Sequence, residues 1–152
     1  MPDTLPRIIE FLTTIGLPVH RAAISSAAVV PGIYIDRGTL LVDESQLKWP
    51  GDLLHEAGHL AILLPQHRMI VTGTAGEDPG FEMAAIAWSW AALVHLRLDP
   101  AVVFHQEGYR GGSQSLIENF SMGRFVGVPM LRWMGMIADE RHFPAISRWL
   151  RE

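Results

Sequence analysis

Two histidines separated by one helical turn lie in the segment LLHEAGHL, residues 53–60. Residues four apart on an α-helix share a face, so His55 and His59 can each present a ring nitrogen to one metal ion. Glu56 is rotated off that ligand axis, beside the position that a metal-bound water would take. A metal lowers the pKa of such a water toward about 7, and a glutamate can then accept its proton. The motif predicts a metal-assisted hydrolase with Zn2+ as its cofactor, His55 and His59 as ligands and Glu56 as the catalytic base.

A catalytic zinc site needs a third protein ligand, and Glu82 is the favoured candidate. It opens the apolar sequence FEMAAIAWS, where an inward-facing carboxylate is costly unless it is paired or binds a metal. The alternative is an ordinary first-turn acid that the helix dipole stabilises. Glu77 and Asp78 are secondary candidates, although Asp78 is better suited to cap the helix. His95 is excluded because it lies about 220° around the helix from Glu82.

Two other classes of HExxH zinc enzyme do not fit the residues that follow His59. A metzincin would have glycine three residues and histidine six residues further on, where this chain has Ile62 and Pro65. Enzymes that use an aspartate as the third ligand would place it where this chain has Gly76. Both classes are therefore disfavoured.

The elements that must position these residues are predicted from apolar periodicity and from capping residues. A short β-hairpin is expected before the HEAGH helix, and an almost wholly apolar central helix after it. The predicted elements are a helix over about 5–15, strands near Ile33–Ile35 and Leu40–Val42, a helix from Asp52 to near Leu64, and a helix from Asp78 to about Leu98. Weaker patterns predict helices at SQSLIENF (113–120) and from Pro144, and core positions for Trp88, Trp90, Trp133 and Trp149. The predicted fold class is α+β, mostly helical, with one domain over residues 1–152.

Composition excludes several functional classes. The chain has 152 residues, 49% of them hydrophobic, a formal net charge of −4 and no cysteine. Disulfides and cysteine zinc sites are excluded, and no basic stripe suggests a nucleic-acid partner. The N-terminal sequence lacks the features of a signal peptide, and the longest apolar stretch, Met83 to Leu98, is too short to cross a bilayer. A cytoplasmic protein without a membrane partner is expected.

The order of these pieces resembles the small gluzincins, specifically the ImmA/IrrE-like zinc peptidases. The resemblance is carried by the hairpin sequence GIYIDRGTLLVDES, by HEAGH, and by Glu82-Met83-Ala84-Ala85, which matches the E-x-x-A pattern of the family. It implies a zincin-like domain in which His55, His59 and Glu82 bind zinc and Glu56 is the base. It also implies a peptide or protein substrate, held in extended form along part of Ile33–Val42 by β-addition.

Peptide hydrolysis also needs a group that stabilises the oxyanion. His105, Tyr109 and Arg110 lie close together in sequence, and we favour Tyr109 as a catalytic residue. Two other functions remain open. The chain could be a zincin-like metal-binding or regulatory module without catalysis. It could also be an interaction protein without metal, in which GRFVGVPMLRWMGMI (123–137) forms a partner surface or a homo-oligomer interface.

Overall fold

The computed structural model describes residues 3–25, 30–73, 75 and 78–152. Helices and a three-stranded sheet make up the fold, so the α+β prediction is confirmed. The elements are α1 (Thr4–Ile15), β1 (Val19–Arg21), β2 (Ile33–Asp36), β3 (Thr39–Val42), α2 (Asp52–Ala61), α3 (Pro65–Arg68), α4 (Pro79–Leu96), α5 (Ser113–Ser121) and α6 (Val128–Trp133), with short 3-10 turns at Pro100–Val102, Tyr109–Gly111 and Glu140–His142.

The sheet has the strand order β1-β3-β2, with β3 in the centre. The predicted hairpin is confirmed: β2 and β3 pair antiparallel, with Ile33 opposite Val42. Arg37 and Gly38 form its turn and both have positive φ, which suits the right-handed twist of a two-residue hairpin. Strand β1, which the sequence did not predict, pairs parallel to β3. It is only three residues long and largely exposed, so it has no clear apolar alternation.

Helices α2 and α4 pack closely because small residues lie where they meet. An added Cβ on Gly58 of α2 would lie 2.9 Å from the carbonyl oxygen of Ala85 on α4. Every residue of α4 from Ala84 to Leu93 is buried, which confirms this helix as the centre of the core. Its N-terminus is fixed as predicted, because Asp78 accepts hydrogen bonds from the N–H groups of the next turn.

Helix α2 ends at Ala61, three residues before the predicted end. The guanidinium of Arg68 donates to the carbonyls of Leu60 at 3.0 Å and Leu63 at 2.9 Å. The backbone N–H of Arg151 donates to the carbonyl of Ala61 at 2.8 Å. Carbonyls at the end of α2 are thus satisfied from outside the helix, by a side chain and by the last residues of the chain.

The predicted helix from Pro144 is wrong, because residues 144–152 form no helix. Their backbone N–H groups bond to other parts of the fold: those of Ser147 and Arg148 both donate to the carbonyl of Met136. Trp149 packs edge-on against Phe11, with ring centroids 5.0 Å apart. The apolar pattern of this segment reflects contacts with several elements and not one helical face.

The four tryptophans do not all lie in the core. Trp88 and Trp90 are buried as predicted, and Trp149 is partly buried. Trp133 is 69% exposed, so its predicted core position is wrong. Its ring lies instead under the guanidinium of Arg151, 5.1 Å from the ring centroid, which is a surface contact. Among the described residues, no helix has both the length and the apolar character needed to span a membrane.

Candidate metal centre

His55 and His59, one turn apart on α2, face Glu82 in the first turn of α4. The two Nε2 atoms are 3.2 Å apart. Glu82 places Oε1 3.3 Å from Nε2 of His55 and Oε2 2.8 Å from Nε2 of His59. The side chains of the two histidines are only 17% and 11% exposed. Three potential ligands from two packed helices therefore converge on one small volume, as the sequence predicted.

These separations agree with the donor set of a tetrahedral zinc site. With bonds of about 2.0–2.1 Å, neighbouring ligand atoms of a tetrahedron are about 3.3–3.4 Å apart. The distances of 3.2 and 3.3 Å that involve His55 are close to that value. The shorter distance of 2.8 Å between His59 and Glu82 is that of a direct charge-assisted hydrogen bond in the metal-free protein. Two imidazoles and a carboxylate are also a ligand set that zinc accepts.

The electrostatics of the metal-free protein distinguish the two histidines. Burial, and next the charge of His59, together lower the pKa of His55 to about 4, against the opposing charge of Glu82. Burial also opposes the charge of His59, but the hydrogen bond and the charge of Glu82 outweigh it and raise the pKa of His59 above 6.5. The hydrogen bond from His59 in turn lowers the pKa of Glu82. At neutral pH, His55 is uncharged and Glu82 is ionised, which are the states that bind a metal.

Glu56 lies beside this cluster without joining it. Within the described part of the chain, its carboxylate takes part in no hydrogen bond or ion pair, yet it lines the same cavity as the three ligands. Burial raises the pKa of Glu56, and the charges of Glu82 and Asp52 add to that effect against the opposing charge of His59. A carboxylate with a raised pKa next to a metal-ligand cluster is suited to accept a proton.

The cavity is lined by both acidic and apolar residues. Its volume is about 410 Å3. The acidic residues are Asp52, Glu56, Glu82 and Glu107. The apolar residues include Val30, Ile33, Ile35 and Ala75. Because Ile33 and Ile35 belong to β2, an edge strand of the sheet borders the candidate site.

Of the three residues considered for oxyanion stabilisation, the structure brings two to the cavity. Tyr109 places its hydroxyl 3.0 Å from Nδ1 of His55, the ring nitrogen on the side away from the ligand cluster. His105 is buried, and its Nε2 lies 2.6 Å from Oδ1 of Asp52. Arg110 is exposed and does not line the cavity. The contact of Tyr109 with the site is thus made through His55, one of the candidate ligands.

The secondary ligand candidates take no part in the described cluster. Asp78 uses Oδ1 to cap α4, and Glu77 lies outside the described residues. His95 is exposed near the other end of α4, in agreement with its exclusion.

The pair of Asp52 and His105 was not found from the sequence. Asp52 lies three residues before His55, on nearly the same helix face, which could have drawn attention to it. His105 was considered from the sequence only for oxyanion stabilisation, and nothing local points to its pairing with Asp52, which is 53 residues away.

In comparisons with known proteins, the chain matches no family profile, no curated protein and no solved structure.

Proposed function

We propose that this protein is a zinc-dependent metallopeptidase of the minimal gluzincin type, similar to the ImmA/IrrE-like peptidases. One observation carries the proposal: His55, His59 and Glu82 converge at separations suited to zinc, while Glu56 lines the same cavity outside the cluster. A purely structural zinc would need no additional glutamate beside it. Glu56 therefore favours a catalytic site over a structural one.

In this proposal His55, His59 and Glu82 hold the metal. Bound zinc would act as a Lewis acid and would lower the pKa of a water molecule toward about 7. Glu56 would take the proton of that water and later deliver it to the leaving amine. Burial of Glu56, which raises its pKa, brings its proton affinity closer to the range needed for both transfers.

The substrate proposed is a peptide or a protein segment in extended conformation. Strand β2 is at the edge of the sheet and borders the cavity with Ile33 and Ile35. An extended chain could add to such an edge through backbone hydrogen bonds. The N–H of Gly73 already donates to the carbonyl of Ile35 at 2.8 Å. The N–H of Ile33 likewise donates to the carbonyl of Val30 at 3.2 Å. A substrate that pairs along this edge would therefore have to displace one of these contacts or use the remaining backbone groups of β2.

The metal is tested first, by mass spectrometry of protein purified without chelators or nickel resin. Wild type should carry about one zinc per chain, because the site has the three protein ligands that catalytic zinc sites use. His59→Ala and Glu82→Gln should lose it. Glu10→Gln changes an exposed glutamate on α1 and should retain the metal. Wild-type protein that takes up no zinc, even when zinc is added, would contradict the proposal.

Catalysis is tested next, with a peptide library and with Glu56→Gln as the matched variant. The amide cannot accept the proton, so hydrolysis should fall by about 10²- to 10⁴-fold while zinc content stays the same. Zinc binding without hydrolysis of any peptide would leave a metal-binding or regulatory module. Equal hydrolysis by wild type and Glu56→Gln would remove Glu56 from its proposed role.

A further inference from the structure

The hydroxyl of Tyr109 makes a contact that the peptidase reaction by itself does not require. It lies 3.0 Å from Nδ1 of His55, and the two rings are nearly perpendicular, at 85°. The other nitrogen of the same imidazole, Nε2, faces His59 and Glu82. His55 is thus held between the ligand cluster on one side and Tyr109 on the other.

A neutral imidazole carries one hydrogen, so the partner at one nitrogen decides what the other nitrogen can do. If Nδ1 carries the hydrogen and donates it to the oxygen of Tyr109, Nε2 keeps a lone pair that can bind a metal. If the hydrogen is on Nε2, that nitrogen cannot be a ligand. Partners of this kind fix the tautomer and the ring orientation of metal-binding histidines in general.

The backbone around Tyr109 has an unusual conformation that the surrounding structure must impose. Tyr109 has φ of 56° and Arg110 has φ of 53°, so two consecutive non-glycine residues are left-handed. Each is an unfavourable conformation for a residue with a side chain and persists only if the surrounding structure imposes it. The N–H of Gly112 closes the turn by donating to the carbonyl of Tyr109 at 2.9 Å.

The loop of residues 105–113 is held against α2 and against Lys48 and Trp49, which lie just before α2 in the chain. At its start, His105 bonds to Asp52 and stacks on Trp49, with ring centroids 4.4 Å apart. Next, Glu107 accepts from the indole N–H of Trp49 at 2.7 Å and pairs with Lys48 at 2.9 Å. At its end, the hydroxyl of Ser113 donates to the carbonyl of His105 at 2.6 Å.

We propose that Tyr109 is a positioning residue that holds His55 in the tautomer able to bind the metal, and that the loop 105–113 keeps Tyr109 in place. The inference rests on the proposed zinc site. It assigns Tyr109 a role through His55, and it differs from direct stabilisation of an oxyanion. In this arrangement the oxygen of Tyr109 accepts from Nδ1, and its hydroxyl hydrogen is directed away from His55.

The test compares wild type, Tyr109→Phe and Tyr34→Phe, which alters the other tyrosine of the chain. Zinc affinity is measured by competition with a fluorescent chelator. The tautomer of His55 is measured by nitrogen-15 NMR on the metal-free proteins, and thermal unfolding checks that each variant folds. Tyr109→Phe should bind zinc about 10- to 100-fold more weakly and shift His55 toward the tautomer with hydrogen on Nε2. Tyr34→Phe should match wild type in both measurements.

The outcomes separate this inference from the function on which it rests. Zinc affinity of Tyr109→Phe within about twofold of wild type would overturn the positioning role and leave the zinc site standing, since such a loss is far below the usual effect of removing a ligand's partner. Weaker zinc binding with an unchanged tautomer would also overturn it, since Tyr109 would then act through packing alone. Wild-type His55 with its hydrogen only on Nε2 would contradict it without any variant. Wild type that binds no zinc would remove both proposals together.

Discussion

The two histidines of the candidate metal centre are chemically identical, yet their surroundings give them different proton affinities. Burial lowers the pKa of His55 to about 4. The close carboxylate of Glu82 raises that of His59 despite its burial. Only one of the two histidines therefore competes with protons for the metal near neutral pH. Burial is the largest cause of the low pKa of His55. Geometry adds to the difference, because Glu82 lies 2.8 Å from His59 but 3.3 Å from His55.

This difference predicts how zinc affinity depends on pH. A proton must leave His59 before it can bind the metal, so affinity should fall as pH decreases through the raised pKa of His59. Between about pH 5 and 6.5 the loss should be about tenfold per pH unit, which corresponds to one proton. The lowered pKa of His55 adds a second proton only near pH 4. Chelator competition at several pH values measures the slope, and a slope of two protons at pH 6 would contradict this account.

Between elements, the geometry of the site depends on how closely α2 approaches α4. Gly58 lies between Glu56 and His59, and the backbone carbonyl of Ala85 leaves no room for a side chain there. Glycine in a helix interior is intrinsically unfavourable by about 1 kcal/mol relative to alanine. Its presence here is explained by the close contact of the two helices that carry the ligands.

Gly58→Ala sets these two effects against each other. The new Cβ would lie 2.9 Å from a backbone oxygen, so the helices must separate or shift. Overpacking of this kind costs about 1–3 kcal/mol, which exceeds the gain of about 1 kcal/mol in helix propensity. We expect a lower free energy of unfolding and weaker zinc binding, because His59 moves relative to Glu82. Denaturant unfolding measures the stability and chelator competition measures the zinc affinity. A more stable variant with unchanged zinc affinity would contradict this prediction, because the helices would then accommodate the added Cβ without cost.

The elements that could be predicted from the sequence are those whose signals are local. The HEAGH helix has apolar periodicity, α4 is a long and almost wholly apolar run, and Asp78 with Pro79 marks the start of α4. Strand β1, α3 and α6 are three to six residues long, which is too short for a periodic signal. The end of α2 could not be placed because Arg68 and Arg151 supply its capping groups from elsewhere in the chain.

At the scale of the whole molecule, the candidate site is completed by contacts between distant parts of the chain. Glu82 could be paired with the histidines from the sequence because few acidic residues lie in such an apolar helix. The contact of Tyr109 with His55 spans 54 residues and has no local pattern. The prediction of a helix from Pro144 was wrong for the same reason. The partners of this segment, Met136 and Phe11, lie in distant parts of the chain.

The carboxylate of Asp43, just after β3, connects two segments that are distant in the sequence. It also makes the stability of the molecule depend on pH. Asp43 accepts hydrogen bonds from the N–H of Ile24 at 3.0 Å, from the hydroxyl of Ser45 at 2.6 Å and from the amide of Gln46 at 2.6 Å. The bond from Ser45 is the strongest cause, and together they lower the pKa of Asp43 from 3.8 to about 2. The carboxylate thereby ties the chain after β1 to the end of β3, in the sheet whose edge borders the cavity.

Because this pKa is lower in the folded than in the unfolded state, the unfolded chain binds more protons at Asp43 between about pH 4 and pH 2. The stabilisation from Asp43 is therefore complete above about pH 5 and is lost as pH falls through that range. Asp43→Asn should unfold at a lower temperature than wild type at pH 7, and the difference should shrink steadily below pH 4. Asp36→Asn changes an aspartate that pairs with the exposed Arg37 in the hairpin turn, and it should show little difference at any pH. Melting curves from pH 7 to pH 2 measure this, and a gap between Asp43→Asn and wild type that stays constant down to pH 2 would mean that Asp43 acts through its shape and not through its charge.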